Sequence, residues 1–157
     1  MSFKILHGMD ELNIGYMTCD TELAKGIAVE EAGDGTEIVQ ACVCGSPLGF
    51  LLQDVTEDGA SYQELELLPG SEIYEVKIGG KVAIIDGEGE IVTSQVVETG
   101  TGNLGAATVE DQLSILNGKW RVAQTGDTVC GFLRGTDYNS VSGDYHIRRI
   151  KGGYIKA

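Results

Sequence analysis

Apolar residues along this chain recur at every second position or close to it, in short runs bounded by Gly, Asp and Asn. The runs are Ile27/Val29, Val39/Ala41/Val43, Leu48/Phe50/Leu52, Leu65/Leu67, Tyr74/Val76/Ile78, Val82/Ile84, Val92/Val96, Leu113/Ile115, Trp120/Val122, Phe132 and Tyr145/Ile147. A period of two puts alternate side chains on one face of a half-buried strand, and helical periodicity is nearly absent. Turn signals every ~8–12 residues predict an all-β sandwich or small barrel.

Two turns have a stated mechanism. Asn117-Gly118, between Leu113–Leu116 and Lys119–Val122, supplies the two positive φ values of a type I′ turn and predicts a hairpin. The stretch Asp86-Gly87-Glu88-Gly89, between Ile84 and Ile91, predicts a second hairpin with a longer loop. Residues 1–20 are apolar without clean alternation and are broken by Gly8 and Gly15, which predicts an extended N-terminal arm. The alternative is an edge strand packed on its own body. The body runs over 21–157, with a possible division into two β subdomains near 98–107, where Glu98–Ala107 reads as a Gly- and Thr-rich linker or mobile loop. A faint internal match sets Val39 and Gly49-Phe50-Leu51 beside Val122 and Gly131-Phe132-Leu133. Duplication and the composition of an all-β chain both account for it.

Composition narrows the functions. Twenty-four acidic residues against 11 basic ones give a net charge of −13 over 157 residues, which opposes phosphate backbones and anionic lipid surfaces. No nucleic-acid or membrane partner is expected, and no apolar run approaches the ~18 residues of a spanning helix. Residues 1–20 lack a basic stretch followed by an apolar one, so no cleavable export signal is expected. Of four cysteines, Cys19, Cys42, Cys44 and Cys130, three lie in apolar surroundings and read as free thiols of a reduced compartment, and Cys42 and Cys44, two apart, fall on one strand face that the core can take.

Candidate chemistry is thin. Gly100-Thr-Gly102-Asn-Leu-Gly105 matches a dinucleotide-binding fingerprint, but the long helix that must open at its third glycine is not encoded. Cys42 and Cys44, with Cys19, Cys130, His7 and His146, lack the second paired spacing of a zinc site, so no metal and no cofactor is expected. The acidic groups Asp54/Glu57/Asp58 and Asp86/Glu88/Glu90 read as solvated turns. The basic residues Arg148, Arg149, Lys151 and Lys156 read as a solvated edge strand. No nucleophile elbow or other catalytic residue is found.

Ala24-Lys25-Gly26-Ile27-Ala28-Val29, Leu48-Gly49-Phe50-Leu51-Leu52-Gln53-Asp54-Val55, Val76–Ile84, and Asp111–Ile115 through Gly126–Phe132 together form a pattern over about residues 24 to 135. In that pattern the chain resembles the decoration, or cement, proteins of tailed-phage capsids. The resemblance implies a β-tulip-like body, a homo-oligomer with a trimer favoured, and attachment to the major capsid protein on the outer virion surface after synthesis in the host cytoplasm. It implies stabilisation of the expanded shell against internal pressure, with no enzymatic activity. Phe3, Ile5, Leu6 and Met9 of the arm are then the expected capsid-binding residues. Two other readings stand beside it: a carbohydrate- or protein-binding module using Trp120, Tyr62 or Tyr74 as platforms, and a small hydrolase built on His146 with a nearby carboxylate.

Overall fold

A computed structural model describes residues 3–7, 14–33, 35–59, 75–136 and 143–157. The described chain is all-β, with thirteen strands: β1 Phe3–His7, β2 Ile14–Cys19, β3 Ala28–Glu31, β4 Ile38–Ala41, β5 Gly49–Leu51, β6 Asp54–Thr56, β7 Glu75–Lys77, β8 Lys81–Ile85, β9 Gly89–Thr93, β10 Gln112–Leu116, β11 Lys119–Val122, β12 Thr128–Gly135 and β13 Tyr145–Ile155. Strands β2-β4-β3-β5-β8 close into a barrel, and β1-β9-β13-β12-β10-β11 form a six-stranded sheet. Strands β6 and β7 pair in parallel as a separate two-stranded sheet.

The faint internal match is a structural repeat. Numbered within each half, β2, β3, β4, β5, β8 and β9, β10, β11, β12, β13 share one spatial order, first-fifth-fourth-second-third. Register agrees as well as order: Val29 faces Ala41 and Gly49, and Leu113 faces Val122 and Gly131. The ladder thus matches Val122 with Ala41, where the sequence match used Val39. Before the second strand of each unit, Gly26 (φ 88°) and Glu110 (φ 75°) sit in the same turn. Their N–H groups donate to the carbonyls of Leu51 and Leu133 respectively. The equivalent glycines Gly49 and Gly131 are required for one reason: a Cβ would lie 2.5 Å from the Ile85 carbonyl or 2.7 Å from that of Arg148.

The units differ in closure. In the first, the parallel pairing Thr18↔Ile38 and Cys19↔Val39 completes the ring; in the second, the parallel contact shrinks to the single bridge Val96↔Trp120. Alternation then builds two cores. The barrel interior holds Ile27, Val29, Val39, Leu51, Val82 and Ile84. The barrel's outward residues Phe50, Ile85, Ile14 and Leu52 join the second unit's inward residues Ile91, Leu113, Trp120, Leu133 and Ile147 in the other core. The rings of Phe3, Phe50 and Trp120 stack through it at successive centroid separations of 5.8 Å.

The Asn117-Gly118 hairpin forms with the expected register, Leu116 facing Lys119, and with φ of 49° and 84°. Its tip seats on the first unit: Gly118 N–H donates to the Cys42 carbonyl (2.8 Å), and Ala28 N–H to the Gly118 carbonyl (2.9 Å).

Four expectations are corrected. Residues 1–20 are not a free arm where described: β1 follows the alternative reading, an edge strand paired with β9 on its own body with Phe3 6% exposed in the core, and Ile14–Cys19 is a barrel stave. Asp86–Glu88 is no hairpin loop, because β8 pairs with β2 and β5 while β9 pairs with β1 and β13. The chain therefore passes from one unit to the other there, rather than near 98–107. Glu98–Ala107 is a packed loop, held by buried Leu104, whose N–H donates to Val97, and by the bond from Val122 N–H to Gly102. Finally, β13 over Tyr145–Arg149 is an interior strand between β9 and β12, not a solvated edge.

Candidate functional site

The barrel has an unfilled mouth. Gly15 on β2 carries no side chain where the equivalent residue of the second unit is Ile91, an equivalence fixed by the pairs Gly15↔Ile84 and Ile91↔Ile147. Ile91 is buried, whereas Gly15 opens a depression of about 160 Å³ lined by Met17, Leu48, Ile84 and Asp86. A Cβ on Gly15 meets nothing within 4 Å. Leu48 at the rim is 42% exposed, and neighbouring Tyr16 is 64% exposed. Side chains of this size left in water are adhesive surface, worth roughly 25 cal/mol per Å² once covered.

Beside the mouth lies an ionic seam between the units. Arg149, buried on β13, donates to Asp86 Oδ1 (2.6 Å) and to the carbonyls of Gly87 (2.6 Å) and Pro47 (2.9 Å). Its guanidinium lies 5.4 Å from the Phe50 ring centroid. Lys151 reaches the other Asp86 oxygen at 2.7 Å. Burial raises the Asp86 pKa, but the hydrogen bonds from Lys151, Arg149 and Gly87 outweigh it and hold the carboxyl below its ordinary value. Asp127 is held low in the same way: burial is outweighed by Gln124 N–H, the Ser114 hydroxyl and the Arg121 fork.

A second concavity, about 340 Å³, lies on the outer face of the second unit between Gly89, Glu90, Arg134 and Arg148. Glu90 Oε1 stands 3.3 Å from His146 Nε2 and 3.3 Å from Arg134 Nε, and Arg134 also bonds Glu110 at 2.6 Å. This is the carboxylate neighbour that the hydrolase reading asks of His146. The same carboxylate is shared with Arg134 in an ion-pair chain, and no Ser or Cys nucleophile lines the concavity among the described residues.

The remaining sequence candidates are placed as follows. Trp120 is fully buried against Phe50, so it is no stacking platform; Tyr62 and Tyr74 lie outside the described residues. Of the expected capsid-binding set, Phe3 is core, Ile5 packs on the core, Leu6 is half-buried and Met9 lies outside the described residues. Cys19, Cys42 and Cys130 are buried, and burial above all pushes the Cys42 thiol up to about 12 and the Cys130 thiol up to about 11. Cys44 is exposed because β4 ends at Ala41 and alternation stops with it. No group of three metal-ligating side chains is found among the described residues. Asp86 and Glu90 are not solvated turn residues but part-buried partners of Arg149 and Arg134, while Glu88 is exposed in the bend between β8 and β9, as expected, and accepts from the Lys151 N–H. The third glycine of Gly100–Gly105 lies in a single 3-10 turn, Leu104–Ala106, followed by extended Ala107. No helix among the described residues is long and apolar enough to cross a membrane.

The mouth was invisible to periodicity, since a glycine reads as a break. Comparing Gly15 with Ile91 through the repeat is the signal that exposes it. No family model, curated protein or solved structure matches the chain.

Proposed function

We propose that this protein is a structural virion protein of the decoration class, which adheres to the outer surface of an expanded phage capsid and stabilises it. The observation that carries the reading is the apolar mouth of Gly15, Met17, Leu48 and Ile84 on a duplicated β body. A closed barrel has no free strand edge, so its route to a partner is side-chain complementarity, and an aliphatic side chain of a shell subunit fits the vacancy that Ile91 fills in the second unit. The residues behind the family resemblance, Gly26–Val29, Gly49–Leu51 and Gly126–Phe132, build the repeated unit itself. Binding only the expanded lattice stabilises that state by RT ln(1 + [L]/Kd), roughly 4 kcal/mol per site at ~1,000-fold saturation. The acidic surface suits a site shielded from packaged DNA.

The test mixes purified protein with expanded and unexpanded shells and measures co-sedimentation. Preferential binding to expanded shells is expected, with loss of binding in Gly15→Ile, which fills the mouth from within. Equal binding to both forms, or absence of the protein from purified virions, overturns the proposal.

A further inference from the structure

The mouth has one charged wall, and the repeat accounts for its place. Ile84 faces Gly15 and Ile147 faces Ile91, so Asp86 and Arg149, two residues further on, are equivalent positions of the two units. Arg149 is 1% exposed and turned into the seam. Asp86 keeps 27% of its side chain exposed and lines the mouth with Gly15, Met17, Leu48 and Ile84.

An ionised carboxylate offers about four lone-pair positions. Oδ1 of Asp86 accepts from Arg149 Nη1 (2.6 Å) and from the Gly87 N–H (2.7 Å). Among the described residues, Oδ2 accepts only from Lys151 Nζ (2.7 Å), which leaves one position for a donor brought by a ligand. Charge decides the kind of donor. An ammonium would be the third cation on a single carboxylate, and a carboxylate has no hydrogen to give. A neutral hydroxyl avoids both faults and makes a charge-assisted bond to Oδ2.

Volume and lining decide what carries the hydroxyl. The mouth, at about 160 Å³, is close to the ~150 Å³ apolar cavity that stays dry and takes up benzene, so it holds one six-membered ring. Leu48 and Ile84 give aliphatic walls, and Met17 gives a thioether, which packs favourably at an aromatic edge. A flat ring makes these contacts without freezing rotatable bonds, as an open alkyl chain of the same size must.

We propose that the mouth binds a small neutral phenol, with its ring against Met17, Leu48 and Ile84 and its hydroxyl donating to Asp86 Oδ2. The inference rests on the mouth as the adhesive site, as the proposed function does, but it needs no shell. A phenol and a shell side chain compete for the one space.

The full-length chain is titrated with para-cresol and followed by the methyl proton signal of Met17, assigned as the one lost in Met17→Leu. A saturable shift is expected, with a Kd on the order of 1 mM for a ligand of this size. Para-methylanisole, the same ring with its hydroxyl capped, should bind about tenfold more weakly. Para-methylbenzylamine should bind no better than the capped ring. Gly15→Ile, whose side chain takes the ring's place, should abolish the shift while keeping a urea midpoint near that of the parent. The comparison of ligands needs no substitution, so it decides the matter even if Gly15→Ile does not fold. Absence of a saturable shift up to about 10 mM para-cresol overturns the proposal. So does equal affinity for the capped ring, tighter binding of the amine, or undiminished binding by folded Gly15→Ile. Para-cresol bound as expected by a chain that ignores expanded shells removes only the capsid reading. Shell binding that is lost in Gly15→Ile, by a chain that takes up no para-cresol, removes only this one.

Discussion

Removing the Arg149 guanidinium tests how the two units are locked. Arg149→Ala deletes a fully buried cation from between Asp86, Gly87 and Pro47 and from the face of Phe50. Breaking a buried ion pair from one side costs about 3–5 kcal/mol. Asp86 retains Lys151 and is 27% exposed, so water recovers part of that loss. The two carbonyls lose a charged donor in a closed seam, at about 1–3 kcal/mol for each one left unsatisfied. The carbonyl losses at least offset what water returns to Asp86, so the net loss is about 3–5 kcal/mol or more, a large share of the roughly 5–15 kcal/mol a domain has. Arg149→Met, which keeps volume over Phe50, should lose nearly as much, because the charge rather than the bulk is missing. Urea unfolding followed by Trp120 fluorescence reads the change as a shift of midpoint at constant slope. The Asp86 carboxyl is depressed in the folded state, so its stabilisation is present above the unfolded value of 3.8 and is lost as pH falls through the lower folded value. The acid limb of the stability profile should therefore be shallower in Arg149→Ala. A loss below about 1 kcal/mol, with an unchanged acid limb, refutes the ionic lock.

Three further outcomes are expected. Gly118→Ala places a Cβ 2.6 Å from Ile27 Cγ2 at φ 84°, and should lower the urea stability by about 1–3 kcal/mol, whereas an exposed type I′ turn would lose less. Phe3→Ala should cost about 3–5 kcal/mol in the same assay if β1 belongs to the core, and almost nothing if the segment is a free arm. A thiol reagent should titrate Cys44 at once, and Cys19, Cys42 and Cys130 only on unfolding; rapid reaction of all four contradicts the burial.

Alternation read from the chain located most strands, because a side-chain period of two is a local property of the backbone. Val39/Ala41, Val82/Ile84, Leu113/Ile115 and Trp120/Val122 all lie in strands of the structure. The Asn117-Gly118 turn was equally legible, since positive φ is a demand on single residues. Alternation put Cys42 in the core as expected, but Cys44, two residues on and expected on the same face, is exposed because β4 has already ended. Ile14–Cys19 escaped because Gly15 interrupts its pattern, and that same glycine leaves the mouth open.

Apart from the β10–β11 hairpin, which strands meet was decided by tertiary structure. The same local pattern, apolar on alternate residues, allowed Ile84–Ile91 to be a hairpin or a crossing, and the Arg149–Asp86 pair, 63 residues apart, belongs to the crossing. Arg149 read as surface because charge is usually solvated; it is buried because three acceptors converge on it from distant segments. Whether the repeat was real turned on register, and register is set by long-range pairing of backbone groups, which no single window of sequence records. The sequence by itself determined where the chain extends and turns. Closure of one unit, opening of the other, and the faces left to meet a partner were decided only when the two came together, because each side chain's burial depends on what lies across from it.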